Sequence, residues 1–466
     1  MKNYQEFFKN KKITVVGLGL LGKRLGDILF LLECGAEVTV TDLKQKEALQ
    51  SSIETIEKFI KSKNIKTKVI YTLGGHKFED FENKDFILKG QGVPLDSPYI
   101  AHAREKGIPI EMDESLFMKL ASDVKIIGVT GTRGKSTTTT LIYEILSASA
   151  NASVRRRKSG KVFLGGNIKG TAALPLLKKV SPPAGGGDVM VFELSSWQLQ
   201  GFGEDKISPH ISVFTNFMPD HLNYYNNDLD VYFKDKSYIY KFQKPEDYLI
   251  IGERLKKLVK NYKSKLIVVK KNNIPKSWKI KILGEHNLEN ISYAVEVARI
   301  LKIKENIIKK AVESFTGVSG RLEFVKEIKG VKIYNDTNAT TPDATVVALN
   351  SFSALKSGPK SVLGQSKVIL IMGGMDKGID VSGLNKILPK KTKKIFLTPG
   401  SGSDKIDGGL ASVCKVDDLK EAVKQAWQIA KKGDIILFSP AFASFNMFKN
   451  EYDRGEQFLQ LVKKLK

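Results

Sequence analysis

Short apolar runs recur along the chain, and each one is followed by a polar or glycine-rich turn. In the first quarter these runs occupy residues 12–16, 37–41 and 86–88. They are short and rich in β-branched residues, which is typical of buried strands in a parallel sheet. Because strands and helices alternate up to about Met112, this region is predicted to be one α/β domain with a mostly parallel sheet.

The same alternation begins again twice. The apolar runs of the two later regions are 124–129, 188–192 and 211–214, then 332–334, 368–372, 394–397 and 434–438. Between these regions, residues 315–321 are small, polar and glycine-containing, which indicates a linker. A length of 466 residues favours roughly three domains. The chain is therefore predicted to fold as three α/β domains.

A glycine-rich turn, Gly-Leu-Gly-Leu-Leu-Gly at 17–22, follows the first predicted strand, and Asp42 ends the second. This is the pattern of a dinucleotide-binding turn with an acidic residue about 20 positions further on. The same geometry serves any diphosphate whose ribose or sugar needs a carboxylate. The pattern alone therefore does not separate NAD from a UDP-sugar. A second backbone-rich turn follows the third strand, at 90–94.

The segment 128–137, Gly-Val-Thr-Gly-Thr-Arg-Gly-Lys-Ser-Thr, lies between a predicted strand and a helix predicted from about residue 138. Strand, glycine turn, Lys-Ser/Thr and helix is the arrangement that wraps backbone N–H groups around phosphates. The lysine would reach the outer phosphates, and a hydroxyl of the following two residues would reach Mg²⁺. The strict pattern requires a glycine at position 129, where valine stands. The segment is a close relative of the standard loop.

Several polar residues follow the strands of the second region. Glu193 ends an apolar strand, where a Mg²⁺ ligand is expected, although capping or turn residues are also common there. His221 follows Asp220 just past another strand and is a candidate ligand for metal or substrate. Asn287 and Asn290 stand one helical turn apart and suit a flat ligand, but both are also good helix-start residues.

The formal net charge of +25 points to anionic partners or to a lysine-rich surface. The lysines are scattered, the densest basic cluster (155–158) lies in a predicted loop, and no aromatic residues interleave it. Nucleic-acid binding is therefore not expected. No apolar run reaches the ~18 residues of a membrane span, and no signal peptide is recognisable. With only Cys34 and Cys414, the prediction is a cytoplasmic protein without membrane insertion.

Three stretches together resemble the Mur ligases, the ATP-dependent amino-acid-adding enzymes of peptidoglycan synthesis. They are the phosphate loop 128–137, Glu-Leu-Ser-Ser-Trp-Gln-Leu at 193–199, and the long signature 439–455. The last two are similar to the family members that add D-glutamate, and the resemblance covers nearly the whole chain. Three residues depart from the pattern: Arg133 replaces an asparagine, Leu21 a polar residue and Asn338 a lysine.

The resemblance implies ligation of D-glutamate to UDP-N-acetylmuramoyl-L-alanine through an acyl phosphate, with ATP, two Mg²⁺ ions and a carbamylated lysine. The implied fold class is α/β throughout. It comprises a Rossmann-like N-terminal domain for the UDP precursor (1–117), a central P-loop-type ATPase domain for ATP and Mg²⁺ (118–317) and a Rossmann-like C-terminal domain for the amino acid (318–466). A monomer is expected.

The resemblance also assigns residues of this sequence to each ligand. The UDP precursor would contact Leu20, Leu21, Asp42, Gly92, Asn167 and Ser195. ATP would contact Gly131, Thr132, Gly134, Lys135, Ser136, Thr137, Asn287, Asn290, Arg321 and Asp336. D-Glutamate would contact Thr340, Lys377, Ser444 and Phe445. The catalytic residues would be Lys135, Glu193, His221 and Lys236. The metal ligands would be Ser136, Glu193, His221 and Lys236, the last as its carbamate.

Four other hypotheses are weighed against this one. A folylpolyglutamate-type ligase shares the loop chemistry but lacks a UDP-binding domain, whereas about 120 residues precede the loop here. Other Mur-type ligases, which add diaminopimelate or lysine, carry an Asp-Asn-Pro-Arg-type motif that is absent. An NAD-dependent oxidoreductase would leave the Gly-Lys-Ser loop unexplained. A nucleic-acid-binding ATPase would need a clustered basic face.

Overall fold

The computed structural model describes residues 3–19, 22–67, 69–153, 160–168, 171–180, 187–221, 224–270, 274–352, 368–406, 412–445 and 447–465. The helices are Tyr4–Phe8 (α1), Lys23–Glu33 (α2), Lys46–Ser62 (α3), Pro98–Glu105 (α4), Asp113–Leu120 (α5), Lys135–Ser153 (α6), Ser196–Glu204 (α7), Leu229–Ser237 (α8), Glu285–Ile300 (α9), Glu305–Ser314 (α10), Pro342–Ser351 (α11), Ser382–Lys391 (α12), Leu419–Ile429 (α13) and Glu451–Lys463 (α14).

The strands alternate with these helices along most of the chain. They are Lys12–Val16 (β1), Glu37–Asp42 (β2), Ile70–Leu73 (β3), Phe86–Lys89 (β4), Ile110–Glu111 (β5), Lys125–Thr130 (β6), Val162–Gly166 (β7), Val189–Glu193 (β8), Ile211–Phe214 (β9), Tyr248–Gly252 (β10), Lys265–Val269 (β11), Glu323–Ile328 (β12), Val331–Asn335 (β13), Val368–Gly373 (β14), Lys394–Thr398 (β15), Val413–Lys415 (β16) and Ile435–Phe438 (β17).

The first sheet is parallel, with the order β3-β2-β1-β4-β5. Apolar side chains of β1, β2 and β4 are buried, as their β-branched runs predict. Strands β2 and β3 lie on one side of β1, and β4 and β5 lie on the other. The strand order therefore reverses between β1 and β4. In open α/β sheets, ligands bind outside the carboxyl ends of the strands at this point. The segment that starts at Gly17 and the turn at 90–93 follow these two strands.

The second sheet is also parallel, with the order β11-β10-β9-β6-β8-β7. Strand β6 lies between β8 and β9, so the phosphate loop that follows β6 is flanked by the ends of both neighbours. Helix α6 begins at Lys135, three residues before the predicted start. The amide of Thr138 donates to the carbonyl of Gly134 at 3.0 Å, so the first helical turn already includes the Lys-Ser-Thr residues.

The third sheet has the order β12-β13-β17-β14-β15-β16. The four strands predicted from the sequence, β13, β14, β15 and β17, pair in parallel, while β12 pairs antiparallel with β13. The β12–β13 connection is Lys329-Gly330, and both residues have positive φ (49° and 76°). Such a two-residue turn suits the twist of a hairpin, but Lys-Gly lacks the usual Asn-Gly or Asp-Gly signal, so the sequence did not predict this strand.

The three sheets with their flanking helices confirm the predicted α/β class. By internal contacts the chain divides into two compact units, Met1–Lys276 with Glu289–Val312, and Ser277–Leu288 with Glu313–Lys466. The first unit contains the first two sheets, and the second unit contains the third. The domain borders at 117/118 and 317/318 stay predictions. No helix in the described ranges is both long and apolar enough to cross a bilayer.

Candidate functional site

The phosphate loop is held by the residues that follow β9. The amide of Thr132 donates to the carbonyl of Asn216 (3.0 Å), and the amide of Arg133 donates to the Asn216 side chain (2.8 Å). The Thr215 hydroxyl donates to the Arg133 carbonyl at 2.6 Å. These bonds engage the first part of the loop. The part suited to an anion is the start of α6, because the helix dipole and the first-turn amides favour negative charge there.

Two glycines of the loop cannot be replaced without strain. Gly131 has φ +146°, and a Cβ there would lie 2.0 Å from the Thr215 hydroxyl. Gly134 has φ +83°, and a Cβ there would lie 2.3 Å from the side-chain oxygen of Asn290. Both close approaches require the absence of a side chain. The second one also brings Asn290, predicted as an ATP contact, against the loop.

Two lysines converge on one carbonyl of this loop. Lys135 Nζ donates to the carbonyls of Gly131 (2.9 Å) and Thr132 (3.1 Å), and Lys236 Nζ donates to the same Gly131 carbonyl (3.0 Å). Lys236 is 2% exposed. Burial, with the charge of Lys135 second, holds the pKa of Lys236 well below its usual range. A larger share of Lys236 is therefore the neutral amine than in a lysine exposed to water.

Glu193 lies at the end of β8, beside the point where the loop leaves β6. Its Cα pairs in register with that of Val129, and the residue is 3% exposed. The side-chain amide of Asn167 donates to Glu193 Oε1 at 3.1 Å, and the Asn167 backbone amide donates to the Glu193 carbonyl at 2.7 Å. The structure thus joins Asn167, a predicted UDP-precursor contact, to Glu193, a predicted metal ligand.

His221 has positive φ (54°), and its amide donates to Asp220 Oδ1 at 2.9 Å. Its ring packs on Trp197 with 4.6 Å between ring centroids. Burial lowers the pKa of His221, and the charges of Lys236 and Lys135 lower it further, against the opposing effect of Asp220. The lowered pKa favours the neutral imidazole, which is the form that ligates metals.

The predicted metal ligands do not form an acid-rich cluster. Across the residues that the structure describes, no three or more His, Cys, Asp or Glu side chains are grouped so that they could hold a metal ion. The predicted set instead combines a serine hydroxyl, one carboxylate, one imidazole and a lysine. A carbamate on that lysine would add a carboxylate-like oxygen ligand of the kind that Mg²⁺ prefers.

Ser195 caps helix α7 in a reciprocal arrangement. Its hydroxyl accepts from the Gln198 amide (3.2 Å), and the Gln198 side chain accepts from the Ser195 amide (2.9 Å). This capping box satisfies amides that the helix start leaves without partners. It also fixes the Ser-Ser-Trp-Gln stretch that follows Glu193.

In the first sheet, the carboxylate of Asp42 closes the glycine turn. Asp42 Oδ2 accepts from the amides of Leu18 (2.8 Å) and Gly19 (3.2 Å), and Oδ1 accepts from Lys44 (2.9 Å). The same turn in a dinucleotide-binding domain offers its amides to a pyrophosphate. Here the Asp42 carboxylate accepts from two of these amides. Gly92 is exposed in the second turn, and Leu20 and Leu21 lie outside the described residues.

In the second unit, the side chain of Asp336 is buried. It accepts from the Leu322 amide (3.0 Å) and from the Ser439 hydroxyl (2.8 Å). Burial, against these two hydrogen bonds, raises the pKa of Asp336 to about 7. Arg321 is exposed, and the Asn287 side chain donates to the Leu283 carbonyl at 2.6 Å.

The residues predicted to receive D-glutamate lie on turns that follow the strands of the third sheet. Lys377 Nζ donates to the Thr340 hydroxyl at 3.1 Å. The Met375 amide donates to the Ala443 carbonyl at 2.9 Å, which places the turn after β14 beside the signature that carries Ser444 and Phe445. Ser444 is buried, whereas Phe445 is 72% exposed.

Family models match three successive parts of the chain. They describe a Mur ligase MurD-like N-terminal domain at residues 11–111, a Mur ligase middle domain at 129–273 and a Mur ligase glutamate ligase domain at 320–442. A protein of Acetivibrio thermocellus named UDP-N-acetylmuramoylalanine--D-glutamate ligase is 33% identical over 99% of this chain and 98% of its own length. A protein of Borreliella afzelii with the same name is 34% identical over 97% and 98%.

The chain belongs to the Mur ligase family. The family predicted from the phosphate loop and the C-terminal signature is thereby confirmed. Solved structures agree with the fold at lower identity. UDP-N-acetylmuramate-alanine ligase MurC of Thermotoga maritima aligns over 97% of this chain and 99% of its own, with TM-score 0.58 and 19% identity. MurF ligase of Thermotoga maritima, solved in complex with ADP, aligns over 78% and 91% with TM-score 0.56 and 19% identity.

Three buried polar residues of this Mur ligase were not predicted from the sequence. Lys89 and Gln200 are buried and hydrogen-bonded to each other at 3.2 Å. Arg454 is 2% exposed and donates to the carbonyls of Thr337 (2.8 Å) and Phe442 (3.1 Å), which holds the signature against the turn after β13. The Asp-Arg-Gly ending of the signature contained Arg454. No local pattern identified Lys89 or Gln200, because the hydrogen bond that joins them spans 111 residues of sequence.

Proposed function

We propose that this Mur ligase joins D-glutamate to UDP-N-acetylmuramoyl-L-alanine at the expense of ATP. The names of the full-length relatives support the substrates, and so does the signature at 439–455. The observation that carries the chemistry is the convergence of Lys135 and buried Lys236 on the carbonyl of Gly131, in the loop that starts beside Glu193. This geometry suits transfer of a phosphoryl group next to metal ligands.

The proposed reaction has two steps. The precursor carboxylate attacks the γ-phosphorus of ATP, so that an acyl phosphate forms and ADP leaves. The D-glutamate amine then attacks the acyl carbon, loses a proton and expels inorganic phosphate. Lys135 would oppose the charge of the transferring group by position and electrostatics. The reaction needs both steps because a carboxylate is a poor electrophile.

The donor set fits Mg²⁺, which prefers oxygen ligands and retains several waters. Glu193 and Ser136 would hold one ion, and His221 with carbamylated Lys236 would hold a second. Bound Mg²⁺ would neutralise phosphate charge. Lys236 suits carbamylation because its amine is buried and its pKa is lowered. The amine would add to CO₂ and lose a proton, which converts a cation that repels Mg²⁺ into a carboxylate-like ligand.

The remaining predicted contacts complete the proposal. The UDP precursor would lie at the point where the strand order of the first sheet reverses, near Asp42 and Gly92. ATP would also use Asn287, Asn290, Arg321 and Asp336, and D-glutamate would use Thr340, Lys377, Ser444 and Phe445. We place the domain borders at 117/118 and 317/318. The proposed enzyme is a cytoplasmic monomer.

The first test of this function is a substrate panel. ATP-dependent phosphate release should require both UDP-N-acetylmuramoyl-L-alanine and D-glutamate. The UDP precursor is needed to form the acyl phosphate, and D-glutamate is needed to consume it. L-Glutamate, meso-diaminopimelate and L-lysine should each be turned over at least about a hundredfold less efficiently, the discrimination expected when a buried polar site is left unpaired. Equal turnover with L-glutamate, or turnover without the UDP-sugar, would overturn the assignment.

A second prediction concerns the loop backbone. Gly134→Ala should weaken ATP binding by about tenfold, because the new methyl group must displace Asn290 and the φ of +83° is unfavourable for alanine. Titration calorimetry with a non-hydrolysable ATP analogue measures this. Gly187→Ala is the matched control, since a Cβ at Gly187 meets nothing within 4 Å. Unchanged nucleotide affinity in Gly134→Ala would contradict the role given to this loop.

A further inference from the structure

Lys89 is a fully buried lysine (0% exposed) at the end of β4. Its Nζ donates to the carbonyls of Val93 (2.7 Å) and Gly90 (3.2 Å) and to the side-chain oxygen of Gln200 (3.2 Å). Three acceptors match the three N–H donors of an ammonium group. Within the described parts of the chain, no carboxylate lies at ion-pair distance from this ammonium.

Two of these acceptors belong to the turn 90–93. The Lys89 ammonium therefore lies inside the turn and holds both of its ends. The turn is also bound to β1, because the Gly90 amide donates to the Val16 carbonyl at 3.1 Å. On the other side, Arg24 at the start of α2 donates to the Lys89 carbonyl at 3.1 Å. The turn is thus fixed at the point of the first sheet where a ligand is expected to bind.

The third acceptor connects Lys89 to the second sheet. Gln200 on α7 accepts from Lys89 and donates through Nε2 to Asp235 Oδ2 at 2.8 Å. The Tyr225 hydroxyl also donates to Asp235 Oδ2, at 3.1 Å. Asp235 directly precedes Lys236 on α8. A continuous chain of buried hydrogen bonds therefore runs from the turn 90–93 to the helix that carries Lys236.

We propose that Lys89 is a positioning residue that holds the UDP-precursor turn 90–93 in register with the helix that carries Lys236. This inference rests on the proposed function for the identity of the ligand, but the contacts of Lys89 stand without it. Buried polar networks rigidify a site when every member is satisfied, and leave costly unpaired groups when one is removed.

The cost of burying this ammonium supports a specific role. Burial, together with the neighbouring Arg24 charge, lowers the pKa of Lys89 to about 7. A methionine or leucine would fill the same space between apolar strands without that cost. The three acceptors around Lys89 Nζ therefore account for a lysine at this position, and packing alone does not.

Lys89→Met tests the proposal, because it keeps an unbranched side chain that is one atom shorter and removes all three donors. Its affinity for UDP-N-acetylmuramoyl-L-alanine, measured by calorimetry, should fall about tenfold to a hundredfold, since two carbonyls and Gln200 are left unpaired. Affinity for the ATP analogue should change by less than about twofold. Hydrogen exchange at the amides of 90–95 should become faster.

Lys84→Met is the matched control, since Lys84 precedes the same strand and donates to the Thr39 hydroxyl (3.0 Å) away from the turn. It should leave both affinities and the exchange at 90–95 unchanged. Gln200→Met keeps the two Lys89–carbonyl bonds and removes the hydrogen bonds of the Gln200 side chain to Lys89, to Asp235 and to the Tyr224 hydroxyl (3.2 Å). It should leave 90–95 protected but speed exchange in 229–237.

Wild-type precursor affinity and wild-type exchange at 90–95 in Lys89→Met would overturn the proposal. So would a parallel loss of precursor affinity, ATP affinity and thermal stability, which indicates a general structural role. If Lys89→Met does not fold, Gln200→Met provides the test. Unchanged hydrogen exchange at 229–237 in that variant would overturn the proposed link between the turn 90–93 and helix α8. If the wild type itself does not bind the precursor, the proposed function fails. Hydrogen exchange at 90–95 in the wild type and in Lys89→Met would still test whether Lys89 fixes the turn.

Discussion

Replacing Lys135 by alanine is expected to reduce ligase turnover by about 10³-fold or more, the effect of removing a cation from a phosphoryl-transfer site. The Lys135 ammonium is placed by the carbonyls of Gly131 and Thr132, at 2.9 and 3.1 Å, at the start of α6. Without it, charge that develops on the transferring phosphoryl group is left unmatched. Steady-state phosphate release with both substrates saturating measures the loss.

The control for this variant is Lys234→Ala, because Lys234 is exposed on α8 and makes no part of the proposed site. It should retain wild-type turnover. Far-UV circular dichroism and thermal unfolding separate a catalytic effect from a folding defect. If folded Lys135→Ala retains more than about one tenth of wild-type turnover, Lys135 does not have the role proposed here.

Replacing Lys236 by alanine is expected to reduce turnover by at least about a hundredfold. This loss is comparable to that caused by removing one group that stabilises charge in the transition state. The expected reason is loss of the carbamate that would ligate Mg²⁺. The substitution also leaves a cavity beside the Gly131 carbonyl, which Lys236 Nζ contacts at 3.0 Å. A small carboxylate such as acetate could occupy this space and supply the missing oxygen ligand.

Acetate should therefore restore part of the turnover of Lys236→Ala and have no effect on Lys135→Ala, whose missing group is a cation. Incubation of the wild type with ¹³C-bicarbonate should give a carbamate signal that is absent from Lys236→Ala. Rescue by a primary amine such as ethylamine, but not by acetate, would show that Lys236 acts as an ammonium. Full activity of Lys236→Ala would remove it from the site.

The central strands of each sheet were predictable because burial on both faces produces apolar runs that can be recognised locally, whereas β3, β5, β7, β10, β11 and β16 were not predicted from the sequence. Strands β1 and β9 have the predicted bounds, β4 differs by one residue at one end, and β8 and β13 differ by one residue at both ends. Strand β12 was missed because its residues are half-exposed and its turn, Lys329-Gly330, carries no strong hairpin signal. Helix α6 starts earlier than predicted because the phosphate loop itself forms the first turn.

The candidate site was predictable where a motif is contiguous. The loop 128–137 and the signature 439–455 pointed to the Mur ligases, and the family is confirmed. The assigned ligand contacts stay predictions, although the structure brings Lys135, Lys236 and Asn290 to the same loop. Asp42 is an example of what a motif does not show. Its position suggested a ribose contact, but the structure shows its carboxylate accepting from the amides of the neighbouring turn.

The amino-acid sequence alone indicated the three α/β domains, the phosphate loop and the family, because these depend on local periodicity and on residues that stay adjacent along the chain. Which polar side chains contact one another depends on how the chain folds. Lys89 and Gln200 are 111 residues apart in sequence, and Gln200 and Asp235 are 35 apart. Their hydrogen bonds exist because two sheets and helix α7 bring buried donors and acceptors together where no water can replace a missing partner.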